Sequence, residues 1–263
     1  MRVGVVGVGL IGGSVAQALA QAGDALWLDD TSPSTQMALR QSRLGEVAPW
    51  EAWADQVDAV VVGVPLPVET DLVRKLVPRM RPQAQLLDLS SVKRPVQAVL
   101  QWASERVSVV SLHLMAGRET RGFHAASAEL FRGCAGAVVD VGAGFPPEAL
   151  LEWWQARLKT GPLSRWSVSD HDAAVAWVSH LPFLASYALR RLVEREQPGA
   201  LALAGPGFRD TTRVGRSDVA LMQPMLAANR AILRDALALF QEELLRASDA
   251  LLRDEDSLLG EKG

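Results

Sequence analysis

A chain of 263 residues is long enough for two domains of ordinary size, each with a buried core. With 49 % hydrophobic residues, 22 % charged residues and a net charge of -3, it reads as a globular protein that lacks the basic footprint of a nucleic-acid or anionic-lipid binder. The single cysteine, Cys134, excludes an internal disulfide and a multi-cysteine zinc site, so it is expected to be a free structural thiol in a cytoplasmic protein without a metal.

Arg2 to Val6 is a short β-branched run that enters Gly7-Val8-Gly9-Leu10-Ile11-Gly12-Gly13-Ser14 and then a helical stretch, Val15 to Ala22. Arg2 before an apolar run and Ala18-Leu19-Ala20 imitate a signal peptide, but four glycines weaken a membrane-seeking helix and suit a strand, tight turn and helix start. In a dinucleotide fold Gly7 allows the turn, Gly9 lets the backbone approach a pyrophosphate, and Gly12 lets helix and strand pack closely. The free amides at the helix start then hold the phosphates, and Leu10 and Ile11 between the glycines are counted among the cofactor contacts. Ordinary glycine loops share this spacing; position directly after an N-terminal strand, with an acid about twenty residues on, distinguishes the two. That acid lies in Ala25-Leu26-Trp27-Leu28-Asp29-Asp30, where Asp30 is the first choice and Asp29 the second to accept bonds from the ribose. A carboxylate there repels a 2′-phosphate, and Thr31 to Thr35 offer no arginine or lysine to receive one, so the expected cofactor is NAD.

Ser34 to Ser42 reads as a short helix. Val57 to Val64 is nearly continuous in apolar residues, which marks a strand covered on both faces. Pro65 stops its ladder, placing the following loop beside the dinucleotide. Glu69 to Met80 reads as a helix whose Arg74, Lys75 and Arg79, with Arg81 beyond it, form a solvated face. Gln85 to Lys93 is a strand running into a polar turn, with Ser90 or Ser91 as cap of the next helix. Val107 to Leu112 is a strand that delivers His113 beside the turn at Gly117. Doubly wound sheets bind ligands at such strand ends, so the imidazole is a candidate acid or base, and alternatively a ring satisfied by backbone groups. A charged loop from Arg118 to Phe123, a helix to Phe131, a strand Ala137 to Val141, a turn Gly142 to Pro147, a helix Glu148 to Leu158 and a strand Trp166 to Val168 complete the pattern. The expected class is α/β, with a Rossmann-like doubly wound dinucleotide-binding domain over 1–168 and an all-helical domain over 169–263.

In the second domain Ser169 and Asp172 have capping-box spacing, and apolar residues recur through Val175, Val178, Leu181, Leu184 and Leu189. Pro182 is expected to kink this helix beside Ser179 and His180. His171 and His180 are nine residues apart, which puts them on opposite faces of an α-helix. Gly207 to Arg213 reads as a polar turn carrying Arg209 and Arg213, for which solvation is the plainer account. A second helix, Asp218 to Leu252, is apolar on more than one face and is expected to pack against a second copy of the chain. Asp254 to Gly263 reads as a frayed tail.

Several of these pieces occur together in one known family. Leu87-Asp88-Leu89-Ser90-Ser91-Val92-Lys93, His113-Leu114-Met115-Ala116-Gly117, His171-Asp172 with Ser179-His180-Leu181-Pro182, and Phe208-Arg209-Asp210-Thr211-Thr212-Arg213 follow the glycine turn in an order and spacing that resembles the prephenate and arogenate dehydrogenases of tyrosine biosynthesis. The resemblance runs over nearly the whole length. It implies an NAD-dependent oxidative decarboxylation of prephenate to 4-hydroxyphenylpyruvate, with arogenate, or both substrates, as the nearer alternative. It also implies that His113 accepts the C4 hydroxyl proton, that Ser91 orients that hydroxyl, and that Arg213 holds the ring carboxylate. Ser179 and His180 match a polar pair near the substrate, and the helical domain matches the family's dimerising domain, which implies a homodimer. Two positions depart from the pattern: Leu114 replaces a usual proline, and Phe183 replaces a histidine associated with the substrate's side-chain end. A β-hydroxyacid dehydrogenase would typically need a lysine in the second domain, and none occurs between Lys159 and Lys262. A silent NAD-binding sensor would have no use for His113, Ser91 and Arg213 together.

Overall fold

The structure, a computed structural model, describes residues 1–118 and 120–252; the tail read over Asp254–Gly263 and Glu119 of the charged loop lie outside them. Contacts divide the chain into two compact units, Met1–Asp172 and Ala173–Gly263.

The first unit is built on an eight-stranded sheet. Its strands are β1 (Arg2–Val6), β2 (Ala25–Asp29), β3 (Glu46–Val47), β4 (Ala59–Val62), β5 (Gln85–Asp88), β6 (Ser108–Leu114), β7 (Gly136–Asp140) and β8 (Leu163–Ser167), in the spatial order β3-β2-β1-β4-β5-β6-β7-β8. The first six are parallel to their neighbours, β7 runs antiparallel to β6, and β8 is parallel to β7. Helices α1 (Leu10–Gln21), α2 (Pro33–Ser42), α3 (Leu66–Leu76), α4 (Arg94–Ala103) and α5 (Glu148–Leu158) cover both faces. Val15, Leu19, Leu39, Trp154 and Leu158 form one core against Val3, Val5 and Leu28, while Val73, Leu76, Val96 and Leu100 form the other against Val60, Val62 and Leu86. Burial on both sides is why β4 reads as an unbroken apolar run: all four of its residues are buried. This is the doubly wound α/β architecture expected from the pattern.

Several local expectations are corrected. Helix α1 begins at Leu10 rather than Val15, because its first turn is made of the glycines themselves. Strand β6 continues through His113 to Leu114, since Leu112, His113 and Leu114 pair with Val138, Ala137 and Gly136. The segment after Phe123 holds only a short turn of 3-10 helix, Phe123–Ala125, in place of a helix to Phe131. Arg81 is not merely solvated: its guanidinium donates to Val57 O and pairs with Asp58. Neither Ser90 nor Ser91 caps α4; the Asp172 carboxylate does, accepting from Lys93 N at 2.9 Å and Arg94 N at 2.8 Å. With Asp172 so engaged, the serine at the start of the next helix, α6 (Val168–Val175), is Ser167, whose Oγ accepts from Asp170 N at 3.1 Å.

In the second unit, Ala176–His180 is a turn of π-helix that leads into α7 (Leu181–Glu196), with Pro182 in the first turn of α7. A proline has no amide to donate, and a widened turn before it accommodates the lost bond. The Gly207–Arg213 stretch is not a turn but helix α8 (Pro206–Arg213), started by a proline that needs no partner for its nitrogen. The long C-terminal helix is two: α9 (Val219–Ala228), capped by Asp218, and α10 (Arg230–Leu252), separated at Asn229. Among the described residues no helix is long and apolar enough to cross a membrane.

Candidate active site

The first part of the site is backbone. Gly7 has φ +83°, open to glycine at little cost, and a Cβ on it would lie 2.7 Å from Gly63 O. A Cβ on Gly12 would lie 2.0 Å from Gly7 O, so α1 approaches the turn as closely as only glycine permits. Gly9 differs, because a Cβ there would meet nothing within 4 Å. It is also the N-cap of α1 and supplies no side-chain cap, and no acid stands in the first turn. The opening at Gly9 and the amides of Leu10 and Ile11 thus face a space suited to an anionic group at a helix N-terminus. Asp30 stands beside this turn, its carboxylate accepting from Val8 N at 2.8 Å and Ser32 N at 2.8 Å. Asp29 turns the other way and accepts from Trp50 N at 3.0 Å. Burial raises the Asp29 carboxyl above its usual range, and a bond from the Trp50 amide only partly offsets this. The geometry therefore separates the two acids and brings Asp30, not Asp29, to the glycine turn. Pro65 is exposed just beyond Gly63 and caps α3.

The second part is made of side chains at the ends of β5 and β6. Side chains alternate along a strand, so Val110, Leu112 and Leu114 enter one core while Ser111 and His113 point to the α3–α4 face. There Lys93 is completely buried, and its ammonium donates to Asp88 Oδ2 at 2.7 Å, Leu112 O at 2.9 Å and Ser90 Oγ at 3.4 Å. Asp88 also accepts from Ser111 Oγ at 2.6 Å and Ser90 N at 2.7 Å. Burial alone would raise the Asp88 carboxyl, but the Lys93 charge, with hydrogen bonds from Glu69, Lys93 and Ser111, holds it down at about 2. Glu69, on α3, shows the reverse: burial first and the Asp88 charge second push its carboxyl well above the usual range. The pair shares one negative charge, which Lys93 balances.

Lys93 thereby fixes the carbonyl immediately before His113. His113 is half-buried and its ring lies against His171, with Nδ1 2.9 Å from His171 Nε2 and the rings edge-on at 71°. His171 is buried, and its Nδ1 lies 2.8 Å from Asp172 Oδ1. Burial, then the Lys93 ammonium and the His171 ring, push His113 down to about 3, outweighing the opposite pull of Asp88 and Asp172. An imidazole so placed is uncharged across the physiological range and can accept a proton. Ser91 is half-buried in the turn that follows β5. Sequence reasoning missed Glu69, Asp88, Lys93, His171 and Asp172 as parts of this cluster. The adjacent His171-Asp172 pair was the available signal for two of them.

In the helical unit, Arg213 is exposed at the last turn of α8. The chain just beyond it is anchored, since Gly215 N donates to Ser186 Oγ on α7 at 2.8 Å and Thr212 is buried. Ser179, half-buried, and His180, buried, both lie in the π-helical turn at the start of α7, and His180 Nδ1 is 3.4 Å from Asn229 Nδ2. Phe183 is buried and stacks on Tyr187, with ring centroids 6.0 Å apart.

Comparison with known proteins bears on both units. Residues 15–140 match the family model of the prephenate dehydrogenase nucleotide-binding domain, and residues 167–260 match that of the prephenate dehydrogenase dimerization domain. The chain is 28 % identical over 254 residues to cyclohexadienyl dehydrogenase of Zymomonas mobilis, which spans 92 % of this chain and 86 % of that protein. Among solved structures it resembles Synechocystis arogenate dehydrogenase at a TM-score of 0.76 and 27 % identity, covering 98 % of this chain and 95 % of that one. It also shares the fold of prephenate dehydrogenase from A. aeolicus, crystallised with hydroxyphenyl propionate and NAD+, at a TM-score of 0.84 and 24 % identity, covering 98 % and 94 % of the two chains.

Proposed function

The chain belongs to the prephenate dehydrogenase family, and on that premise we propose that it carries out the NAD-dependent oxidative decarboxylation of prephenate to 4-hydroxyphenylpyruvate. The observation that carries this reading is the position of the His113 imidazole, held at the end of β6 by the Lys93 bond to the preceding carbonyl and by His171 at 2.9 Å. Bound NAD supplies the hydride acceptor. The opening at Gly9 and the amides of Leu10 and Ile11 receive its pyrophosphate, Asp30 its ribose, and the loop at Pro65 flanks it. His113 takes the C4 hydroxyl proton as that carbon is oxidised, with Ser91 orienting the hydroxyl. The C1–carboxylate bond then breaks and carbon dioxide leaves; the bond's electron pair completes the aromatic ring and moves the C4 carbonyl electrons onto oxygen, which takes a proton back from His113 to become the phenol.

Arg213 holds the ring carboxylate through its guanidinium fork, and Ser179 with His180 contributes to substrate binding. Arg213→Ala is expected to raise the Michaelis constant for the cyclohexadiene roughly 10- to 100-fold, the value of one charge-assisted contact. An unchanged constant moves that role to another residue. A homodimer through the helical unit is part of the same reading, supported by the exposed Leu221, Leu239, Leu244 and Leu245 on α9 and α10.

Arogenate is the second reading. Phe183, which packs on Tyr187, offers no charge or hydrogen bond to a keto acid, and the similar Synechocystis protein is an arogenate dehydrogenase. Steady-state rates for prephenate and arogenate, each with NAD and NADP, decide between the two. Turnover of neither substrate overturns the proposal, and equal use of both nucleotides removes Asp30 from the ribose.

A further inference from the structure

We infer that His171 and Asp172 act as positioning residues that fix the proton of His113 on Nδ1 and leave Nε2 bare as the atom that accepts the substrate proton. This rests on the reading of His113 as the base. Donors and acceptors alternate along one chain of contacts from Asp172 through His171 to His113.

Asp172 sits at the N-terminus of α4 and takes two backbone amides, Lys93 N at 2.9 Å on Oδ1 and Arg94 N at 2.8 Å on Oδ2. Burial opposes its ionisation, but the bond from His171 and those two amides outweigh it and keep the carboxyl below its usual range. An ionised carboxylate only accepts, so the contact at 2.8 Å requires His171 to carry its proton on Nδ1. A neutral His171 then has a lone pair on Nε2. That lone pair faces His113 Nδ1 at 2.9 Å, and a hydrogen bond forms only if His113 Nδ1 bears the proton. A neutral His113 therefore has its second lone pair on Nε2. With the opposite tautomer the ring would present an N–H where a base is needed. The cluster is also closed electrically: Lys93 and Asp88, the other charged groups acting on His113, are paired with each other.

A purely structural account is available, in which Asp172 caps α4 and His171 fills space. The two accounts differ in what they say of the His113 proton. Nitrogen-15 spectra of the histidine-labelled protein at pH 8, where an ordinary imidazole with a pKa of about 6.5 is neutral, read the tautomer directly. The His113 signals are identified by their loss in His113→Asn. Expected is the Nδ1–H form for both His113 and His171 in the wild-type protein, without any ligand.

His171→Phe removes the acceptor while leaving Asp172 to cap α4. It is expected to release His113 toward the Nε2–H form and to lower kcat roughly 10- to 100-fold with NAD affinity unchanged, less than the about 10²–10⁴-fold of losing the base outright, because the imidazole remains. His171→Gln restores a carbonyl acceptor, and should recover part of both the tautomer and the rate. An Nε2–H form of His113 in the wild type overturns the inference, as does His171→Phe with tautomer and kcat unaltered. Should His171→Phe fail to fold, the wild-type spectrum decides alone. Near-normal turnover in His113→Asn would overturn a different statement, the assignment of the base, and leave the tautomer lock to the spectrum.

Discussion

The two halves of the site in the α/β unit are made in opposite ways. The nucleotide turn consists of neighbouring residues, Gly7 to Gly12, working through backbone shape and amides, with Asp30 as its one side chain from farther along. The His113 cluster draws on Glu69, Asp88, Lys93, His113, His171 and Asp172, so that its first and last members are about a hundred residues apart, and it works through side-chain charge and protons, with backbone groups only holding those side chains in place. The difference teaches where sequence reasoning succeeds. A turn whose chemistry is local is written in one short stretch; a cluster whose chemistry is a balance of buried charges exists only once the sheet has formed.

The largest expected effect strikes the cluster. His113→Asn keeps much of the ring's size and one donor but supplies no base, and is expected to lower kcat by about 10²–10⁴-fold while NAD affinity, measured by fluorescence titration, stays within about twofold. If the two halves are as separate as their construction implies, the loss appears in turnover alone. A matching loss of NAD affinity would break the comparison.

Lys93→Met comes next. Lys93 balances one charge shared by Glu69 and Asp88, and it is wholly buried, so removing the ammonium leaves that charge without compensation. Breaking a buried pair from one side typically costs about 3–5 kcal/mol, to be read as a lower urea midpoint. Adding Asp88→Asn to Lys93→Met removes the stranded charge, and the double variant is expected to be more stable than Lys93→Met alone. A double variant no better than the single one would show that Lys93 matters for packing rather than charge.

The turn yields a contrast within itself. Gly12→Ala drives a Cβ to 2.0 Å from a backbone oxygen that cannot swing away, so the expected result is a loss of about 1–3 kcal/mol in stability. Gly9→Ala puts its methyl into open space, with no backbone atom in its way, and should lose less stability than Gly12→Ala. Yet that methyl occupies the space assigned to the pyrophosphate, and the dissociation constant for NAD should rise about tenfold or more. Equal effects of the two substitutions on both measurements would remove the distinction between the glycine that packs and the glycine that binds.

The same contrast explains what the residue pattern gave away. The sheet, the glycine turn and Asp30 were legible because periodicity and spacing encode them locally. Helix α8 was not, since Gly207-Phe208-Arg209-Asp210-Thr211-Thr212-Arg213 is polar and glycine-led, and its helical state depends on Thr212 burying and on the anchor from Gly215 to Ser186. The break at Asn229 was hidden inside a run of good helix formers. Leu114, which replaces a usual proline, lies inside the β6 ladder with its side chain buried, so pairing with Gly136 supplies restraint there. Placing His171 and His180 on opposite faces assumes an α-helix throughout, whereas Ala176–His180 is a π-helical turn. It also misses that His171 belongs to the first unit, because nothing local to residue 171 announces a partner 58 residues earlier.

The smallest prediction tests whether burial of His113 is felt by the whole fold. In the folded protein its pKa is pushed down to about 3, whereas in the unfolded chain it returns to about 6.5. Between those values the unfolded state holds the extra proton, so stability rises with pH there and is lost as pH falls from about 6.5 toward 3. Of the carboxylates with lowered values, Asp58, Asp88 and Asp172 regain protons on unfolding only near and below their ordinary 3.8, while Glu129, ordinarily at 4.5, reaches into the lower end of a window of pH 4.5 to 6.5 with the same sign as the histidine. Glu69 acts inside the window with the opposite sign, since its folded value is raised and its contribution fades as pH climbs above 4.5. A wild-type curve alone therefore mixes two slopes. The difference between wild type and His113→Asn isolates the histidine, and across this window it should change by no more than about 1.4 kcal/mol per pH unit, the limit for one proton. Urea midpoints at four pH values are enough to draw it. A flat difference would mean that His113 titrates alike in folded and unfolded chains, and that the cluster around it does not exclude charge from the ring.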